Sequence, residues 1–105
     1  MNKWRIIPNH GVTQAAIEWD VTKNEQTIQK HGIGFIDASE LLEIEARFTY
    51  LSDYSGKEAR FVTVGRLKNK FFAVVYTLRN GNIRLITARR AHSNEEKTYR
   101  EIHGG

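Results

Sequence analysis

The sequence predicts an α+β domain: a small antiparallel β-sheet with two N-terminal helices and one C-terminal helix. Three observations carry that prediction. Phe71 to Ala91 reads FFAVVYTLRNGNIRLITARRA, two β-branched and aromatic runs around Asn80-Gly81, a strong signal for a tight hairpin. Asp20 to Ile44 carries two helical patterns in succession. Ser93-Asn94-Glu95-Glu96 matches the capping box that opens a third helix.

At 105 residues the chain is read as one domain, 1–105, with an ordinary apolar content of 40%. No apolar run approaches the ~20 residues that cross a bilayer, so no membrane partner is expected. The absence of cysteine excludes disulfides, thiolate metal sites and a cysteine nucleophile, and suits a cytoplasmic protein.

Met1 to Ile17 is the least patterned stretch. Trp4 to Ile7 reads as a short strand, Pro8 to Gly11 as a turn holding an exposed His10, and Val12 to Trp19 as extended chain. Asp20 is a good N-cap for a helix over about Val21 to His31, and Gly32 is its natural stop. Val21 and Ile28 give that helix only a narrow apolar stripe, which places it on the surface with Lys23, Lys30 and His31 accessible. A second helix, roughly Gly34 to Ile44, packs through Phe35, Ala38, Leu41 and Leu42, with Asp37, Glu40 and Glu43 on its solvated face.

Arg47 to Leu51 is a short edge strand, and Ser52 to Lys57 a polar loop. The next strand, about Ala59 to Leu67, joins the central hairpin through Lys68-Asn69-Lys70. A turn of two residues puts Arg60 and Arg66 on one face, and a turn of three puts them on the other. Within the hairpin, pairing Arg79 with Asn82 sets Thr77 opposite Arg84, Val75 opposite Ile86, Ala73 opposite Ala88 and Phe71 opposite Arg90. The other face then pairs Tyr76 with Leu85, Val74 with Thr87 and Phe72 with Arg89. Both faces are apolar in the middle, so the hairpin should be central and covered on both sides. The last helix starts from Ser93 as N-cap, with Tyr99 and Ile102 as its apolar anchors.

Charge is unevenly distributed. Lys57 to Arg90 holds nine Lys or Arg residues against one acid, Glu58, whereas Asp37 to Asp53 holds five acids against Arg47. A basic half favours a polyanionic partner, nucleic acid first.

Several short motifs then resemble one family. Trp19-Asp20-x-x-Lys23-Asn24 is followed by Lys30-His31-Gly32-x-x-Phe35-x-x-Ala38, then Glu58-x-Arg60-Phe61 and Val64-Gly65. Val74-Val75-Tyr76-Thr77, Arg84-x-Ile86-x-Ala88-Arg89-Arg90-Ala91 and Glu95-Glu96-x-x-Tyr99 complete the series. In this order the pieces resemble the BrnT family of bacterial toxins across residues 17–102, leaving 1–16 as an N-terminal extension outside the likeness. The resemblance implies a RelE-like fold and the toxin half of a type II toxin–antitoxin pair, an endoribonuclease that arrests translation and growth. It also implies a small antitoxin with a ribbon-helix-helix DNA-binding domain as partner, RNA as substrate, and promoter DNA reached only through the antitoxin. No cofactor is expected.

RNA cleavage without a metal needs a base for the 2′-OH, cations for the crowded phosphate and an acid for the leaving 5′-oxygen. No His, Asp or Glu spacing here matches a metal site. Arginine pairs two phosphate oxygens at once and stays charged, which makes Arg60, Arg84, Arg89 and Arg90 the candidates. Each also reads as a solvated strand-end arginine. His31 is the general acid or base by residue type, or a plain helix-end histidine. Lys23 and Lys30 can grip the RNA backbone. Glu58 is either the base or the partner of an arginine, and Tyr76 either a proton donor or a core tyrosine. The candidate set is therefore His31, Glu58, Arg60, Tyr76 and Arg89 for catalysis, with Lys23, Lys30, Arg84 and Arg90 for RNA. A nucleic-acid-binding module without catalysis, or a domain whose basic face meets an acidic protein, would use the same residues.

Overall fold

In the computed structural model, which describes residues 5–6, 16–52 and 58–104, two helices cover one face of a sheet and a third covers the other. The elements run β1 (Arg5–Ile6), β2 (Ile17–Glu18), α1 (Val21–His31), α2 (Phe35–Glu40), β3 (Arg47–Leu51), β4 (Phe61–Leu67), β5 (Lys70–Arg79), β6 (Asn82–Arg90) and α3 (Ser93–His103). The strands form one six-stranded sheet in the order β1-β3-β4-β5-β6-β2. The α+β class is as expected, but the wholly antiparallel, RelE-like sheet is not: β2 runs parallel to β6, so the sheet is mixed. The turn at Pro8–Gly11, with His10, and the loop over Asp53–Lys57 lie outside the described residues.

α1 begins and ends where the sequence indicates. The Asp20 carboxylate accepts from the Lys23 backbone N–H at 3.1 Å, and Gly32 closes the helix at φ +73°. Its apolar stripe is not its packing face, however. Val21 and Ile28 are 68% and 46% exposed, while Thr27 is the buried residue. Asn24 also turns inward, accepting from the Phe35 N–H at 2.7 Å and tying α1 to the start of α2. α2 ends early, at Glu40, but Phe35, Ala38, Leu41 and Leu42 are all buried as expected. They pack on Phe72, Val74, Tyr76, Ile83, Leu85 and Ala88 of the central hairpin. Trp19 anchors the entry to α1 by meeting the Phe35 ring edge-on at 6.0 Å.

The turn between β4 and β5 has two residues. Leu67 pairs with Lys70, and both Lys68 and Asn69 take positive φ. Arg60 and Arg66 therefore share a face with Thr77 and Arg84, not with Tyr76. The hairpin register expected from Asn80-Gly81 holds from Arg79–Asn82 to Tyr76–Leu85 and then breaks. A bulge leaves Ile86 as the extra residue, so Val75 meets Thr87, Val74 meets Ala88, Ala73 meets Arg89 and Phe72 meets Arg90. The consequence is a correction: Arg89, not Arg90, stands on the face of Arg84.

That second face packs against α3 through Phe48, Tyr50, Val62, Val64, Phe71, Ala73 and Tyr99. The helix is capped one residue earlier than expected, with His92 as N-cap and Glu95 at the third helical position. Tyr99 is an anchor, its ring 5.0 Å from that of Phe71, but Ile102 remains 46% exposed and anchors nothing.

Candidate active-site groove

Among the described residues β2 pairs with β6 at Ile83 and Arg84, and α1 packs along β6 as well. Between α1 and β6 lies a cleft of about 540 Å³ lined by Asp20, Thr22, Lys23, Gln26, Arg84, Leu85 and Ile86. A smaller one, about 160 Å³, is lined by Lys23, Gln26, Thr27, Lys30, His31 and Thr87. Lys23 and Gln26 border both, so the two form one groove along the helix. The helical repeat explains the lining, because positions 23, 26, 27, 30 and 31 fall on one side of α1. Four sequence candidates, Lys23, Lys30, His31 and Arg84, thus meet here.

The sheet register extends this cationic surface. Arg84 is paired with Thr77, and Arg60 precedes β4 at the position opposite Thr77, so the two arginines occupy one row across three strands. Glu18 ends that row. Its carboxylate accepts from the Arg84 guanidinium at 2.5 Å and from the Asn82 amide at 3.4 Å. Thr87, which lines the smaller cleft together with His31, lies in β6 between Arg84 and Arg89.

The remaining candidates are placed elsewhere. Arg89 is directed to α3, donating to both oxygens of Glu95 at 2.7 and 3.0 Å. Glu95 is fully buried and also accepts from the Tyr50 hydroxyl at 2.5 Å and the His92 N–H at 2.7 Å. Burial alone would raise the Glu95 carboxyl, but these donors outweigh it and hold the group below the usual carboxylate range. Burial, with Glu95 alongside, pushes the Tyr50 phenol far up, so it remains a donor. Arg90 lies over the Phe72 ring at 5.5 Å on the opposite face. Glu58 bonds Arg79 at 2.8 Å, an exposed pair near the hairpin tip. Tyr76 is wholly buried in the core beneath α2, where burial raises its phenol, and it has no opening towards RNA.

Sequence reasoning missed Glu18, Gln26 and the Tyr50–Glu95–Arg89 cluster. The doubled Glu95-Glu96 was a signal, since only one of two adjacent helix residues can face the sheet.

The family model described as "Ribonuclease toxin, BrnT, of type II toxin-antitoxin system" matches residues 19–95. The chain belongs to the BrnT family. Among solved structures, the Brucella abortus ribonuclease toxin BrnT is similar in fold, with a TM-score of 0.56 and 22% identity over 75% of this chain and 99% of that one. The curated proteins contain no match to the chain. As a BrnT-family ribonuclease toxin of a type II system, this chain has an antitoxin partner. The matched residues run from Trp19 to Glu95 and so include α1, β6 and the groove between them.

Proposed function

We propose that this BrnT-family toxin cleaves RNA in the α1–β6 groove by a route that needs no metal. His31 serves as the general acid or base, Arg84 holds the scissile phosphate, and Lys23 and Lys30 hold the flanking backbone. In that step the 2′-oxygen gives its proton to a base as it bonds to phosphorus, the P–O5′ bond breaks, and the 5′-oxygen leaves with a proton from an acid; His31 fills one of the two roles and water the other. One observation carries the reading: two adjoining clefts that share Lys23 and Gln26 are lined by Arg84 in the one and by Lys30, His31 and Thr87 in the other. Arg60, in the same row as Arg84, adds positive charge to the approach. Arg89 serves by fixing α3, and Glu58 by holding Arg79. Cleavage in the cytoplasm arrests translation, and an antitoxin with a ribbon-helix-helix domain neutralises the toxin and carries the pair to its promoter.

The test is to induce the wild type and the His31→Ala and Arg84→Ala variants, each checked for folding by circular dichroism, and to follow bulk RNA and growth. Both variants should leave RNA intact and cells growing. RNA decay at the wild-type rate in both removes the groove as the site, and RNA binding without any decay by the wild type supports a non-catalytic module instead.

A further inference from the structure

Gln26 supplies the side-chain amide that lines both clefts beside α1. Asn24, two residues earlier, is committed to the Phe35 N–H, whereas the Gln26 amide is exposed and makes no hydrogen bond among the described residues. It follows Lys23 by three residues and precedes Lys30 by four, so the three side chains fall on one side of the helix. The two lysines are about 10 Å apart along the axis at ~1.5 Å per residue. On their long stems they can hold phosphates on either side of one nucleotide, with the amide between them. Across the larger cleft stand Leu85 and Ile86 of β6. Leu85 is 3% exposed, and Ile86 is the residue that the bulge leaves without a partner on β5. Bulges re-aim side chains beside functional sites.

An aliphatic wall opposite an available amide, flanked by cations, has the composition of a nucleobase subsite: the ring lies on carbon and its edge meets the amide. Lysines grip a backbone whatever its sequence, so they cannot select a base. The amide can. It donates and accepts side by side, which matches N7 and the N6 amino group of adenine, while the same edge of guanine offers two acceptors. A pyrimidine ring would cover less of Leu85 and Ile86 than a purine does. Arg84 lines the same cleft, which sets such a base beside the phosphate to be cut.

We propose that the larger cleft is a subsite for one adenine of the RNA, read by Gln26 and seated on Leu85 and Ile86. This assignment rests on RNA being the ligand of the groove, but it concerns which base is bound and is read independently of cleavage. The experiment measures fluorescence anisotropy of the His31→Ala chain with labelled oligouridine, and with the same strand carrying one central adenosine or guanosine. The adenosine strand should bind about tenfold tighter than the other two, the discrimination of a good bidentate pair. Adding Gln26→Ala should bring the adenosine strand level with oligouridine. An adenosine strand that binds no tighter than the others overturns the proposal, as does a preference that survives Gln26→Ala. Equal weakening of all three strands by Gln26→Ala overturns it too, because the amide would then be serving the backbone. Failure of the catalytic reading shows separately: a wild type that never cuts RNA while the Gln26-dependent preference holds removes cleavage and supports the subsite.

Discussion

Arg89 and Glu95 face one another between β6 and α3, joined by hydrogen bonds of 2.7 and 3.0 Å, and Glu95 has no solvent exposure. The pair makes Arg89 a structural clamp, since its side chain is only 18% exposed and both terminal nitrogens are engaged. Arg89→Met should lower unfolding free energy by about 3–5 kcal/mol, because it leaves a buried carboxylate without its cation. Adding Glu95→Gln should recover part of the loss. Urea denaturation of the two single variants and the double variant measures both effects, and additive losses would show that the residues act separately.

The same carboxyl gives stability a pH dependence. Its folded pKa lies below the ordinary value near 4.5, so its contribution is complete above that range and is lost as pH falls through the folded value. Wild-type stability should decline on acidification below about pH 4.5, and Glu95→Gln should remove that part of the decline. Thermal melts of both proteins across the acid range provide the check.

Glu18 competes with any phosphate for Arg84. The pair is about a third exposed on each side, so it adds little to stability, about 0–1 kcal/mol after solvent screening. Glu18→Gln should therefore barely move the melting temperature while tightening RNA binding, and Arg84→Ala should weaken it. Titration of labelled RNA at low salt measures the contrast. Weaker binding by Glu18→Gln would show that the carboxylate positions Arg84 for RNA and does not compete with it.

Gly65 in β4 faces the segment that follows α2 at close range. A methyl group there would come within 2.9 Å of Ile44 Cδ1 and 3.0 Å of Leu41 Cδ2. Both atoms are ends of flexible side chains, so Gly65→Ala should cost about 1 kcal/mol, the low end for overpacking, and Gly65→Val more. Guanidinium midpoints for the two variants would reveal the order.

Much of the scaffold was legible because its signals are local. Asp20 and Gly32 bound α1 through contacts with backbone groups three and four residues away. Phe35, Ala38, Leu41 and Leu42 identify the buried face of α2 by spacing alone, and Asn80-Gly81 sets the hairpin by the φ values it tolerates. The candidate site was legible in part. Lys23, Lys30 and His31 read as accessible residues of a surface helix and Arg84 as a strand-end cation, and all four line the clefts beside α1.

What linear order could not give was the assignment of arginines to faces. By itself the sequence determined the elements, the family likeness and the cationic half of the chain. Only the tertiary structure decided that a bulge at Ile86 sends Arg89 to α3 and Arg90 to the far face, and that Arg84 borders the same groove as His31. Alternation along a strand has a period of two, so one extra residue reverses every side chain beyond it while leaving the apolar pattern almost intact. The bulged register suits contacts outside the strand pattern: the buried Glu95 of α3, six residues on, that draws Arg89 to one side, and the Phe72 ring that receives Arg90 on the other.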